Sequence, residues 1–521
     1  MNDVNKNMMP PQPMPPPMMA PPRPRGWRAK MTQALSDNMM PSTTLFPKWL
    51  SQYAVWTYVL ALTVVSIIYS AHALPWYYML SGIVSVLMFF LYGRKVYQET
   101  TVKKIKKAIG FEKRIFVIAI IPRLILMLLL YWIFMENYGD AFGFENGDTT
   151  YYHDLGQYVA GLIEKGNIHF YNEISTWSGN GDIADMGYGV YMGFVYWLTD
   201  NSIITVRLFK CLLSSFTVLL IYRLAKRNFG ESTARLAAIF CALWPNFWYY
   251  CAVHLKETEM VFLCVLFIER ADQMLRSRQF TAWKVIPILL IGGTLFTFRT
   301  PLALVALLAL LFTIVMSSSR VVSWGKRVIV GILAVLLIGI TMGNRIEEQS
   351  RKLIESAQTQ EQAKNMEWRS RREHGNAFAK YAGAAVFAPM IFTIPFPTMI
   401  QPYQGQDVQQ LLNGSNYVKN ILSAFVIAAL VILLLTGKWR EHTLPLSFMV
   451  GYVVVLVMST FAQSERFHQP VMAFELMFAA YGISVIVGLK KYRRWCLYWC
   501  IFMFVAAIAW SWFKLAGRGL A

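Results

Sequence analysis

At 521 residues the chain has mass for two or three soluble domains, but 56% of its residues are hydrophobic and only 15% are charged, against about 25% charged in soluble globular proteins. Mean hydropathy of +0.40 leaves too little water-facing surface for so much chain, which excludes a soluble globule, a coiled coil, wholesale disorder and a disulfide scaffold. The net charge of +20 would suggest nucleic acid in a soluble protein, so its placement along the chain is what matters.

The N-terminal stretch to residue 24 is dominated by Met and Pro without periodicity. Proline favours extended, solvated backbone, so residues 1–50 read as a disordered cytoplasmic tail rather than a signal peptide. From residue 53 onward, apolar runs near bilayer length follow one another. The reading is an all-α polytopic membrane protein with about 13 transmembrane helices: 53–71, 75–92, 115–135, 203–222, 232–252, 258–274, 285–299, 301–317, 327–343, 416–436, 443–462, 469–489 and 495–513. Two weaker runs, 187–199 and 383–400, contain Gly or Pro and read as re-entrant or interfacial helices on the outer face.

Basic residues set the expected orientation. The loop 93–114 carries Arg94, Lys95, Lys103, Lys104, Lys106, Lys107, Lys113 and Arg114, and later alternate loops carry Arg223, Lys226 and Arg227, then Arg320, Lys326 and Arg327. By the positive-inside rule these face the cytoplasm, together with the N-terminus. The loop 136–186 is acidic instead, with Glu136, Asp140, Glu145, Asp148 and Asp154 among its charges and Lys165 its one lysine. The +20 is therefore a topology signal, and nucleic acid is not an expected partner. The chain divides into the tail, two N-terminal spans with a basic loop (51–114), a transmembrane core (115–343) whose first outer loop is 136–202, an outer charged and interfacial segment (344–415), and the C-terminal spans (416–521).

The six cysteines lie in or beside apolar runs without metal-ligand spacing and read as packing residues. No P-loop, dinucleotide fingerprint or HExxH motif is present. The first outer loop is more informative. After Asp148, residues Tyr151, Leu155, Tyr158, Val159 and Leu162 recur at helical spacing, which predicts an amphipathic helix with Asp148 at or near its N-cap. Cations at outer ends of spans run against the positive-inside bias: Lys256 beside His254 and Glu257, Arg299 before Pro301, and Arg466 between Glu465 and His468. The segment 344–380 pairs charges such as Glu347/Arg351 at i,i+4, as a solvated helix does.

The stretch GDTTYYHDLGQYVAGLIEKGN resembles the first outer loop of the GT-C superfamily of membrane glycosyltransferases, which includes protein O-mannosyltransferases and aminoarabinose transferases of lipid A. The likeness continues through GYGVYMGFVYWLTDNSIITVRLFKCLLSSFTVLLIYRLAKRNFG and ESTARLAAIFCALWPNFWYYCAVHLKETEMVFLCVLFI, covering 115–275, and extends to SERFHQPVMAFELMFAAYGI. The resemblance implies inverting transfer of a sugar from a polyprenyl-phosphate donor to a lipid, glycan or protein acceptor on the outer (periplasmic) face of the inner (plasma) membrane. It makes Asp148 the general base. Glu145, Tyr151, Tyr152, Lys256, Glu257, Arg299, Glu465, Arg466 and His468 are the candidate substrate-binding residues. Some superfamily members use a divalent cation, so Mg or Mn is left open, with Glu257 and Glu465 as carboxylates that could hold it. Two other readings share outer-face cations: an O-antigen ligase or polysaccharide polymerase, which relies on Arg and His without a first-loop base, and a flippase for a lipid-linked sugar, which would show inverted repeats.

Overall fold

The computed structural model describes residues 27, 45–101, 108–143, 146–167, 173–174, 186–277, 282–318, 321–322, 325, 328, 332, 390–403, 407–458, 464–487 and 492–520. Among the described residues the regular elements are helices, in line with the apolar runs, with one isolated antiparallel bridge between Ala73 and Ile400. In chain order the helices are α1 (Lys48–Ile68), α2 (Trp76–Thr101), α3 (Ala108–Tyr138), α4 (Asn146–Glu164), α5 (Met186–Thr199), α6 (Ile203–Phe229), α7 (Glu231–Ala242) and α8 (Pro245–Ala252). They continue as α9 (Glu257–Arg276), α10 (Ala282–Phe298), α11 (Thr300–Met316), α12 (Asn413–Thr436), α13 (Thr443–Met458), α14 (Glu465–Ile486) and α15 (Arg493–Ala516). Seven described helices (α1, α2, α3, α6, α12, α14 and α15) are long and apolar enough to span a bilayer, with shorter apolar helices at 283–298, 300–316 and 443–458. The protein is therefore a polytopic membrane protein. Helix α1 starts at Lys48, ahead of the expected residue 53, and just before it Phe46 is buried with its ring against Phe90 and Phe240. The expected span 327–343 and the charged stretch 344–380 fall largely or wholly outside the described residues.

Burial separates centre from periphery. Helices α7 and α14 are buried almost along their whole length and pack on each other, with α12 and α6 around them. On α3 and α15 large apolar side chains such as Ile125, Leu128, Trp132, Tyr498 and Val505 stay exposed, the pattern of a lipid-facing surface. Helix α9 carries carboxylates at both ends. At its C-terminal end Glu269 and Asp272 bind Arg227 at 2.8 and 3.0 Å, and Asp272 also takes Arg276 at 2.9 Å.

Two segments depart from the expected helices, both because of proline. The run 232–252 is two helices, α7 and α8, since Pro245 has no N–H to offer the Cys241 carbonyl one turn earlier. Arg123, buried in the middle of α3, fills that gap. It donates to the Cys241 and Ala242 carbonyls at 3.2 and 3.0 Å and to Ser214 Oγ at 2.8 Å. The described part of 383–400 is likewise not a helix beyond a turn at 390–393, because Pro395 and Pro397 remove donors from any helical ladder. This segment is clamped to the bundle instead, Asn420 donating to the Pro395 carbonyl and Lys419 to that of Ile394.

Arg123→Met should therefore lower stability by roughly 1–3 kcal/mol, although it removes a charge from an apolar interior. The substitution strands the Cys241 carbonyl, and each buried polar group left without a partner costs roughly 1–3 kcal/mol. Thermal unfolding of the purified protein in detergent measures this. An unchanged midpoint would show that the break after α7 needs no external donor.

Candidate active site

Helix α4 begins at Asn146 and carries Asp148 in its first turn, where a carboxylate suits the unpaired N–H groups and the positive end of the helix dipole. It lies tightly on α5. Gly189 makes room for Leu155, and Gly193 for Val159, at points where any Cβ would collide. This close approach fixes where α4 presents its first turn.

Three distant parts of the chain meet there. Arg466, in the first turn of α14, donates from Nη1 to Asp148 Oδ2 and from Nε to Glu257 Oε1, the latter in the first turn of α9. Asp148 remains 59% exposed while Glu257 is 1% exposed, so Asp148 is reachable from outside and Glu257 is the buried anchor. Next to Arg466, Phe467 carries the Arg299 guanidinium over its ring at 4.4 Å. Arg299 sits at the junction of α10 and α11 and has no carboxylate partner among the described residues. Of the two arginines, Arg466 is committed to carboxylates and Arg299 is the one available to an anion.

A second group adjoins the first. The Lys256 ammonium lies 5.6 Å from the centroid of Tyr152, whose ring meets Tyr188 edge-on at 5.0 Å. Tyr151 packs its ring on Tyr152 and is more exposed. The buried Lys210 of α6 binds Glu259 at 2.9 Å, the Leu255 carbonyl, and the Tyr188 hydroxyl at 3.4 Å. Glu259 also borders an apolar cavity of about 470 Å³ between α5, α6, α9 and α10, walled by Val190, Tyr191, Phe262, Leu263 and Phe298.

The expected residues thus divide. Asp148, Tyr151, Tyr152, Lys256, Glu257, Arg299 and Arg466 come together at one end of the bundle. Glu465 and His468 do not join them. One turn apart on α14, they share the side facing α12, where Glu465 accepts from Asn416 at 3.0 Å and His468 lies 2.8 Å from Lys419. Adjacent helical residues point about 100° apart, so Arg466 and Glu465 diverge. Glu465 thus binds Asn416 while Glu257 binds Arg466. Glu145 lies outside the described residues. Among the described residues no group of three or more His, Cys, Asp or Glu side chains converges as metal ligands.

Lys210, Glu259 and Arg207 are not among the residues that the sequence motifs single out. Their signal was present, since an ionisable residue inside an apolar run such as ITVRLFKCLL must face protein and find a partner.

Polar residues from separate helix ends thus gather beside an apolar cavity. Residues 188–342 match the family model described as dolichyl-phosphate-mannose-protein mannosyltransferase. That description is of GT-C membrane glycosyltransferases that use a polyprenyl-phosphate-linked sugar, and the likeness is confined to this segment, which is less than half of the chain. No curated protein and no solved structure matches the chain. The matched segment contains Lys210, Lys256, Glu257, Glu259 and Arg299. Asp148 and Arg466 lie outside it and are joined to it by the contact with Glu257.

Proposed function

We propose that the protein transfers a sugar from a polyprenyl-phosphate donor to an acceptor hydroxyl, with inversion, on the outer face of the membrane. The observation that carries this reading is Arg466 joining an accessible carboxylate, Asp148, to the matched segment through Glu257. Asp148 Oδ2 is held by Arg466, while Oδ1 has no partner among the described residues and serves as the proton acceptor. The acceptor O–H gives its proton to Asp148 as its oxygen attacks the anomeric carbon. The bond from that carbon to the phosphate oxygen breaks, and the electron pair leaves with the phosphate. Arg299 supplies fixed positive charge for the leaving phosphate, and a guanidinium can meet two of its oxygens at once. The apolar cavity suits the hydrocarbon nearest the phosphate, and Tyr151, Tyr152 and Lys256 face the sugar.

Mass spectrometry of lipid-linked and surface glycans, with and without the protein, tests the reading. The expected result is loss of one surface modification together with accumulation of its lipid-linked donor on the outer side. An unchanged glycan profile would sink the proposal, and donor trapped on the inner side would indicate a flippase instead.

A further inference from the structure

Beside the proposed site, four side chains from four elements form a continuous run of hydrogen bonds that the transfer step does not use. Arg207 Nε on α6 lies 3.2 Å from His254 Nδ1 in the turn between α8 and α9. His254 Nε2 lies 3.0 Å from the Tyr196 hydroxyl on α5, which is 2.7 Å from His153 Nδ1 on α4. Phe142 closes over both imidazoles, with ring centroids 4.9 Å from His153 and 5.7 Å from His254, and Arg207 also donates to the Ala141 carbonyl.

The chemistry gives this run a direction. A guanidinium can only donate, so His254 Nδ1 must accept, which leaves His254 neutral with its proton on Nε2. That N–H donates to the Tyr196 oxygen. The single Tyr196 proton is then aimed at His153 Nδ1, which must accept in turn, so the His153 proton sits on Nε2. An arginine on α6 thereby dictates the tautomer of a histidine on α4, three links away.

We propose that Arg207, His254, Tyr196 and His153 form a positioning chain that seats α4, and hence Asp148, on the bundle, and that its last link holds only while His153 is neutral. The functional half of this inference rests on Asp148 being the base. His153 lies five residues after Asp148, roughly 7–8 Å along the same helix, and the chain ties that helix to α5, α6 and the turn before α9. Protonated His153 has two N–H groups and no acceptor, so the Tyr196 proton loses its target. Burial holds His153 below its ordinary value, with Arg207 acting the same way and Asp154 opposing. Burial, then Arg207, Lys210 and His153, holds His254 well below its own. Both rings are thus neutral at pH 7. A histidine whose folded value is lowered loses folded-state stability as pH falls below its unfolded value of about 6.5, so the link is intact at neutral pH and weakens in acid.

Nitrogen-15 NMR of the full chain in detergent, labelled at its seven histidines, reads the tautomers directly. His254 should show an unprotonated Nδ1 and a protonated Nε2, and His153 the same. Hydrogen exchange followed by mass spectrometry, corrected for intrinsic rates, reads the seating of α4. Tyr196→Phe keeps the ring and deletes the link, and should speed exchange within 149–163 by about five- to tenfold, the loss of one net hydrogen bond. His153→Gln keeps an acceptor but cannot gain a proton. It should match wild type at pH 7.5 and, unlike wild type, show no faster α4 exchange at pH 5.5. In a transfer assay Tyr196→Phe should lower kcat and leave the donor KM near wild type, since Arg299 lies on other elements. A proton on His254 Nδ1, or α4 exchange unaltered in Tyr196→Phe, overturns the proposal. A silent Asp148→Asn would instead remove Asp148 as base and leave the tautomer and exchange results standing.

Discussion

Asp148→Asn should reduce sugar transfer by roughly 10²–10⁴-fold, the usual contribution of a general base, while leaving the protein folded. Asparagine keeps the size of the side chain and an oxygen that can accept from Arg466, and gives up only the charge's interaction with the helix dipole, about 0.3–1 kcal/mol. The position is largely exposed, so the change strands no buried group. What the carboxamide cannot do is take the acceptor proton. The deficit should therefore lie in kcat, with donor KM little changed and only a small shift of the unfolding midpoint. Asp148→Glu would keep the base and displace it by one methylene, so it should recover part of the rate. Turnover of Asp148→Asn within about threefold of wild type would reject Asp148 as base, because no general base contributes so little. Glu145 is the next carboxylate along the same loop and would then be the residue to replace.

The hydrophobic pattern made most helices legible, because a run that must lie in lipid leaves an unmistakable length of apolar residues. The amphipathic helix with Asp148 near its start was legible for the same reason. Two kinds of feature were not. The first is a break whose cause is one atom: Pro245 ends α7 only because it lacks an N–H, and the compensating donor, Arg123, comes from another helix. The second is the pairing of distant residues. Asp148 and Arg466 are 318 positions apart, and nothing local to either names the other. Helical phase decides the rest. Sequence alone lists Glu465, Arg466 and His468 as one cluster, but once α14 begins at Glu465 the arginine turns toward α9 and α4 while Glu465 and His468 turn toward α12. The histidine chain was hidden for a similar reason, since its direction depends on Arg207, which sits inside an apolar run.

Arg466 offers a sharper test than Asp148, because it has a stability role and a catalytic role that can be separated. Its fork reaches two carboxylates at once, Glu257 from Nε and Asp148 from Nη1. Lysine carries the same charge on a single point and cannot reproduce that geometry, so Arg466→Lys should fold and yet lose on the order of 10²-fold in activity, a few kcal/mol at the transition state. Arg466→Met goes further and leaves the buried Glu257 without its counter-charge. Breaking a buried pair by removing one partner costs about 3–5 kcal/mol, so this variant should fold poorly. Adding Glu257→Gln removes the stranded charge, and the double variant should regain most of the lost stability, a coupling that a double-mutant cycle measures. It should not regain activity, because Asp148 is still unanchored. Unfolding midpoints and turnover for the three variants separate the roles. If Arg466→Met with Glu257→Gln recovered both stability and transfer, Arg466 would be a counter-ion for Glu257 and nothing more, and the placement of Asp148 would have to be assigned to α4 packing alone.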